Sequence, residues 1–477
     1  MSTARTIAKN TAVLFAATII SYILVFFVNI YIAQYLGAEG FGILSLAIAL
    51  TGIFTIFTDL GLNVLITREV ARDKTSTNKY LFNTSIIKIF LAFLTFGLIF
   101  ATVNIIGYTE EISYVIYIMT LSVIFTAFTN VFNSIFQAYE KMEYMSIGNI
   151  LNSAVLFTGV IIGTTYKLDI FFFVTIYLVA SLFVLAYSLI AYLWKFPKPK
   201  IHVDLSFWKL TLKEALPFGV TNIFGSIYYW IDSVMLSKMV GNEVVGWYNA
   251  AYRLMFVFLA IYTVYLSAIF PAMSKFYKTS EEYLKFSYER SYKYLLIIST
   301  PIAVGITLLA DKIILLIYGT GYIPSIFALQ ILIWTIPLLF INGLSGYVLG
   351  AINRQMVLTK ITFIGAVLNI ILNLLLIPKF SFIGSSFATV VTELSLSPLL
   401  FYVLFKSNYA DKKSLTKDLP NIMASNVVMA ILIVILRDIN LFLLILIAAI
   451  VYFAAVYLFK ALDEIDISLI KHLLNRT

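Results

Sequence analysis

Hydrophobic residues fall in long runs separated by short polar breaks, and the runs have the length of a bilayer rather than of a soluble core helix. A membrane-spanning helix needs about 20 mostly apolar residues. Fourteen runs meet this: 11–36, 42–65, 83–106, 113–138, 145–164, 169–194, 212–238, 245–272, 291–309, 325–349, 357–377, 382–405, 420–436 and 440–459. The longer polar breaks are 66–82, 195–211, 273–290 and 406–419. The pattern predicts an all-α polytopic membrane protein with about fourteen transmembrane helices. The first run is longer than a signal-peptide core and is read as a retained first helix.

Composition agrees. Of 477 residues, 61% are hydrophobic and only 12% charged, about half the charged share of soluble domains. Mean hydropathy is +0.96. A soluble enzyme, a nucleic-acid-binding domain and a disordered chain are excluded. The net charge of +9 is a matter of orientation instead. With a cytoplasmic N-terminus, 27 of the 33 Lys and Arg fall in inner segments and five in outer loops; Arg253 lies within a run. This asymmetry predicts both termini in the cytoplasm and a plasma-membrane location.

An internal repeat is visible. Gly37, Glu39 and Gly42 at the first outer turn match Gly241, Glu243 and Gly246 at a constant offset of 204. Ala138 and Lys141 echo Ala351 and Arg354 more weakly. The repeat divides the chain into a six-helix lobe (1–194), a basic cytoplasmic linker (195–211), a second six-helix lobe (212–406), and a C-terminal helix pair with its tail (407–477). Two parallel lobes of this kind enclose a central cavity. Pro217, Pro271, Pro301, Pro337 and Pro398 fall in or near the second lobe's spans, which predicts the more bent helices there.

Candidate chemistry is sparse. With no cysteine and only His202 and His472, no metal or cofactor is expected. No soluble-enzyme motif is present, and the outer loops are too short for a catalytic domain. Charges inside the runs are costly and point to a pathway. Arg253 lies about 12 Å deep and Asp232 about 9 Å deep at 1.5 Å per residue. They pair as a structural hairpin clamp, or Arg253 faces the cavity and holds an anion with its bidentate fork. Asp59 is placed near Arg68 or at an inner gate. Glu393 is a buried carboxylate with a structural or coupling role. Lys88 is expected to snorkel to the inner surface. Polar stripes run along Asn130, Asn133, Ser134 and Gln137, along Asn222, Ser226 and Tyr229, and along Asn369 and Asn373; they glue helices or wet a cavity. Trp194, Trp208, Trp230 and Trp247 are expected as interfacial anchors. The basic stretch 195–211 should lie against anionic membrane lipids.

Short pieces across about 400 residues carry a family resemblance. They are Leu36-Gly37 with Phe41-Gly42, Asp59-Leu60-Gly61-Leu62, Pro217-Phe218-Gly219, Asp232, Val240-Gly241, Val245-Gly246-Trp247-Tyr248, Tyr318-Gly319 with Tyr322, and Ile377-Pro378 with Gly384 and Ala388-Thr389. In their order the chain resembles the polysaccharide-transporter branch of the multidrug/oligosaccharidyl-lipid/polysaccharide flippase superfamily. The resemblance implies a flippase, not an enzyme, that moves a polyprenyl-pyrophosphate oligosaccharide to the outer leaflet by alternating access. Arg253 matches a cation on helix 8 of some relatives. Polysaccharide-assembly glycosyltransferases are implied partners, and nucleic acid is not. Arg or Lys deep in helices 1 and 2, found in peptidoglycan-precursor flippases, is missing here, which speaks against lipid II. The competing readings are a cation-coupled multidrug exporter using Asp59, Glu393 or Asp232, and a membrane glycosyltransferase or polymerase.

Overall fold

Two residues decide how the longest helices are to be understood. Helices α1 (Thr3–Phe54) and α12 (Gln355–Lys406) each run 52 residues, about 78 Å if straight and more than twice the hydrocarbon thickness. Each is broken once. Gly37 has φ 67°, ψ −177° in α1, and Ser381 has φ 53°, ψ −138° in α12. A glycine meets the first demand without a steric penalty. Ser381 meets the second three residues after Pro378, which cannot donate to the helical ladder. Each long helix is thereby two spans.

The computed structural model describes residues 3–196 and 203–468; the side chains of 3–16, 217–222, 256, 260, 261, 264, 267 and 268 also stand outside the description. The other elements are α2 (Leu62–Arg72), α3 (Thr77–Ile106), α4 (Glu110–Ala138), α5 (Met142–Thr165), α6 (Ile170–Lys195), α7 (Leu205–Met239), α8 (Asn242–Thr279), α9 (Glu281–Ile317), α10 (Ser325–Leu332), α11 (Thr335–Ala351), α13 (Lys412–Lys417), α14 (Leu419–Ile435) and α15 (Leu441–Leu458). Among the described residues no strand occurs. Ten helices there are long and apolar enough to cross a membrane. With the breaks in α1 and α12 counted, and with α7 and α8 lying along 212–238 and 245–272, these account for the predicted runs. The chain is an all-α polytopic membrane protein.

Helix starts are specified by short polar side chains that accept otherwise unpaired backbone N–H groups. Asp169 caps α6, Asp204 caps α7, Ser280 caps α9 and Asn440 caps α15. Within the spans, hydroxyls such as those of Thr51, Thr84, Thr95 and Thr120 donate to the carbonyl four residues earlier, the local answer where water is missing. Pro271, Pro301 and Pro398 lie inside α8, α9 and α12 without ending them.

The chain divides into two compact units, Met1–Asn249 and Ala250–Thr477. In the first, α1 packs on α5 and α7, and α4 packs on α2, α3 and α6. Ile66, Val70, Leu81, Val131, Ile135, Phe136, Tyr192 and Phe196 form one apolar cluster of its core. In the second, α9 is the hub for α10, α11 and α14, while α11 packs on α12 and α14 on α15.

Candidate functional site

The residues that recur at an offset of 204 meet in space. A Cβ placed on Gly42 would lie 1.8 Å from the Asn242 carbonyl oxygen and 2.9 Å from the Gly246 nitrogen. A Cβ placed on Gly246 would lie 1.9 Å from the Ala38 carbonyl oxygen. The contact is reciprocal: 42 sits on 242 and 246, while 246 sits on 38. The glycines are needed because two helix backbones touch there. Next to it Gly37 (φ 67°) and Gly241 (φ 135°) supply the left-handed turns.

Above this crossing the α7–α8 hairpin is stitched by side chains. Asp232 is buried, and its Oδ2 accepts from the Tyr248 hydroxyl at 2.6 Å. Asn249 Nδ2 donates to Ser233 Oγ at 3.0 Å, and Ser237 Oγ donates to Asn242 Oδ1 at 2.6 Å. Tyr229 stands edge-on to Trp230 with ring centroids 4.6 Å apart. Trp230, expected as an interfacial anchor, lays its indole on Gly52 of α1, where a Cβ would lie 2.5 Å from Nε1. The side chain of Asn222 lies outside the described residues.

Lys88 reverses its expected direction. It is 1% exposed and its three protons have three acceptors: Asp59 Oδ1 at 2.9 Å, Asn63 Oδ1 at 3.0 Å and the Ala127 carbonyl at 3.0 Å. The ammonium does not snorkel because a complete oxygen tripod awaits it inside, which offsets much of its desolvation. Asp59 sits where α1 gives way to a 3-10 turn (Thr55–Thr58), with Leu60 and Gly61 in left-handed conformations. Its carboxylate also accepts from the N–H groups of Gly61 and Asn63, both at 3.2 Å. Asp59 therefore pairs with Lys88 rather than Arg68. Arg68 binds Glu69 at 2.6 Å and Glu214 at 2.9 Å.

On α4, Asn133 Nδ2 donates to Asn130 Oδ1 at 3.3 Å. Thr67 of α2 donates to the Ser134 carbonyl at 3.3 Å and reaches exposed Gln137 Oε1 at 3.5 Å. At least this end of the stripe joins helices. Trp208, expected as a membrane anchor, donates to Asn83 Oδ1 at 2.8 Å. Trp194 is exposed, with the Lys195 ammonium 3.8 Å from its ring centroid.

In the second unit Arg253 is partly buried and lies within electrostatic reach of Tyr318. Buried Glu393 accepts from Asn342 Nδ2 at 2.7 Å; the same amide nitrogen donates to the Glu393 carbonyl at 2.9 Å, and Ser397 donates to Asn342 Oδ1 at 2.8 Å. Asn373 Nδ2 donates to Asn369 Oδ1 at 3.0 Å, and both side chains are fully buried. Tyr262 lies flat on Phe340 and directly over Gly343.

One cluster escaped the reading of the sequence. Asp466, fully buried, accepts from Arg290 Nη1 at 2.7 Å, Lys293 Nζ at 2.6 Å and the Tyr294 hydroxyl at 2.6 Å. Asp463 binds Arg290 at 2.5 Å, and Asp418 binds Lys293 at 2.9 Å. Asp463 and Asp466 exchange reciprocal bonds to each other's N–H groups, a capping box for the helical residues 464–468. Burial pushes the Asp463 carboxyl up, but the Asp466 N–H and the Arg290 guanidinium outweigh it and hold it at about 2. A cavity of about 100 Å³ opens beside Arg290, Lys293, Ser414, Lys417 and Asp418. The spacing Asp-x-x-Asp, with Arg and Lys three apart on α9, was the available signal. Among the described residues no group of three or more His, Cys, Asp or Glu is placed to hold a metal ion.

Sequence comparison identifies the lineage of the chain. The pattern of the polysaccharide biosynthesis protein family matches residues 7–277. The chain belongs to that family. A second pattern, MatE, matches residues 217–375. The family member is 23% identical over 388 residues to a probable low-salt glycan biosynthesis flippase of Haloferax volcanii, covering 81% of each chain. It is 26% identical over 416 residues to the capsular polysaccharide biosynthesis protein CapF of Staphylococcus aureus, covering 83% of this chain and 99% of that one. A putative O-antigen transporter of Shigella dysenteriae is 25% identical, with 76% and 91% covered. The fold is similar to that of the lipid II flippase MurJ in an inward closed conformation, with TM-score 0.77, 18% identity, and 94% and 98% of the chains covered. It is also similar to an inward-facing multidrug resistance MATE family transporter, with TM-score 0.67, 17% identity, and 81% and 94% covered.

Proposed function

We propose that this family member is a flippase that carries lipid-linked oligosaccharide of the polyprenyl-pyrophosphate type from the inner to the outer leaflet, by alternating access, for cell-surface polysaccharide synthesis. The observation that carries the reading is Arg253, a cation only partly buried within the long apolar helix α8. A charge at that depth is costly unless it has a use, and a diphosphate suits its two-pronged donors. The names of the relatives, flippases and O-antigen transporters, point the same way. The polar groups of Asp232, Tyr229, Asn222, Asn130, Asn133 and Gln137 are assigned to the path of the sugar, replacing the water it sheds.

The membrane is the plasma membrane, both termini are cytoplasmic, and the lobes are 1–194 and 212–406, with 195–211 as linker and 407–477 as the C-terminal helix pair and tail. Glycosyltransferases of polysaccharide assembly supply the substrate. The MatE match favours a second reading, a cation-coupled multidrug exporter. Its carboxylates would be Asp59 and Glu393, but Asp59 already holds the Lys88 ammonium and Glu393 the Asn342 amide. The test is deletion of the gene with leaflet-resolved analysis of lipid-linked sugars. Accumulation on the inner face, corrected by the wild type and not by Arg253→Ala, is expected. Unchanged sugars with raised drug sensitivity would replace the flippase by the exporter.

A further inference from the structure

The first turns of α7 are held to α2 and α3 by contacts of two kinds. Near the helix start, fully buried Asn83 accepts from the Asp204 N–H at 2.9 Å and from the Trp208 indole at 2.8 Å. Ten residues on, about 15 Å along the helix, Glu214 binds Arg68 at 2.9 Å with both side chains substantially exposed, 43% and 36%. Beside Glu214, Leu212 and Ala215 cover an apolar patch of Leu62, Leu65, Ile87 and Leu91, and Ala215 is fully buried. Arg68 is also held by Glu69, whose Oε1 takes Arg72 at 3.1 Å.

The two attachments differ in what can undo them. At the helix start Lys79 also pairs with Asp204 at 3.0 Å, with the Lys79 side chain 44% exposed, but loss of that pair would leave the buried Asn83 amide, which offers nothing to a charged ligand. An exposed guanidinium–carboxylate pair holds weakly, because water competes for both partners. A diphosphate presents more negative charge and a matching pair of oxygens to the same guanidinium. Glu214 and Glu69 occupy the positions around Arg68 that phosphate oxygens would take.

We infer that the Arg68–Glu214 pair is a latch released by a diphosphate. The diphosphate of an incoming lipid-linked sugar takes Arg68 from Glu214, and the α7 segment around Ala215 lifts from its apolar patch while Asn83 keeps Asp204 and Trp208 in place. This rests on the flippase reading and adds to it the trigger that frees the segment.

The chain has no cysteine, so Ala215→Cys provides a single reporter thiol, and Leu212→Cys provides a second should the first disturb folding. The full-length protein in liposomes is treated with a small thiol reagent, alone, with polyprenyl diphosphate in the bilayer, with inorganic pyrophosphate, or with added phosphatidylglycerol. Glu214→Gln or Arg68→Gln should speed modification about twofold without ligand, as expected for a locally loosened segment that has lost one exposed ion pair. Polyprenyl diphosphate should do the same to the parent and add nothing to Arg68→Gln. Acceleration by inorganic pyrophosphate as well assigns the trigger to the headgroup alone; a response to the lipid form only assigns it to the anchored diphosphate, and either supports the latch. An unchanged rate in Glu214→Gln overturns the latch. So does polyprenyl diphosphate that binds without effect, or phosphatidylglycerol that accelerates equally. Release by Glu214→Gln together with no binding of polyprenyl diphosphate overturns the trigger through failure of the flippase reading itself.

Discussion

Helix α7 is fastened to its own unit at both ends, and the two fastenings are made of opposite materials. At the α7–α8 turn the contact exists because side chains are missing: Gly42 and Gly246 let one backbone rest on the other. At the start of α7 the contact exists because side chains are present, in the pairs Arg68–Glu214 and Lys79–Asp204. A backbone contact is fixed by shape, insensitive to salt, and intolerant of any added atom. An ion pair is set by charge, screened by salt, and tolerant of substitution. Shape alone fixes the first fastening, while exposed charge and the buried Asn83 amide share the second.

The sharpest way to break this contrast is at the glycines. Gly246→Val puts a branched side chain where even a Cβ would lie 1.9 Å from the Ala38 carbonyl oxygen. The helices must separate, at a cost of about 3 kcal/mol. Thermal unfolding in detergent should show the loss, and complementation of polysaccharide synthesis should fail. Gly42→Val should match it, since its Cβ meets the Asn242 carbonyl. If either variant behaved like the wild type, the crossing would not be a fixed contact.

Burial is the variable that separates the exposed ion pairs of Arg68 and Lys79 from the one at Lys88. Lys88→Met removes the ammonium from a tripod in which Asp59 keeps 22% exposure. The cost should be about 2 kcal/mol, below the usual range for a fully buried pair because water still reaches Asp59. The double change Lys88→Met with Asp59→Asn should recover most of it. A single-variant loss no larger than that of Glu214→Gln would show that burial makes no difference here.

What could be read from the sequence follows the strength of the constraint. Bilayer thickness imposes a run length, so the existence of the spans was legible, but the helices outrun the apolar runs: α9 begins ten residues before the run 291–309 and ends eight after it. Gly37 with Gly241 marked two turns that only glycine makes easily. The direction of a long side chain is set by no such rule. Lys88 has the reach to go to the surface or inward, and its acceptors Asp59, Asn63 and Ala127 come from the α1–α2 junction and from α4. Arg68 was assigned to Asp59, nine residues away, because Glu214 is 146 residues distant and only the fold brings it close. Arg290 and Lys293 entered the sequence argument as counters of membrane orientation. Their burial with Asp466 depends on the return of the chain after α15.

The smallest effects belong to the exposed pairs. Glu214→Gln should change stability by about 0.5 kcal/mol or less. That difference should fade as ionic strength rises from 0.1 M to 1 M and the screening length falls from about 10 Å to about 3 Å. Acid gives a finer test at Asp204. The Ser206 hydroxyl, then the Lys79 ammonium and the Phe207 N–H, hold its carboxyl below the ordinary value of 3.8. A carboxyl that is more acidic in the folded chain contributes fully above its unfolded value and loses that contribution as pH falls through the folded one. The start of α7 should therefore keep the same reactivity at Leu212→Cys, taken relative to a fully exposed thiol at each pH so that thiolate ionisation cancels, from about pH 8 to pH 5, and loosen only below about pH 4. Asp204→Asn retains the helix cap and should flatten the acid response. A transition near neutral pH that survives Asp204→Asn would mean that some other group, not this carboxylate, governs how firmly α7 begins.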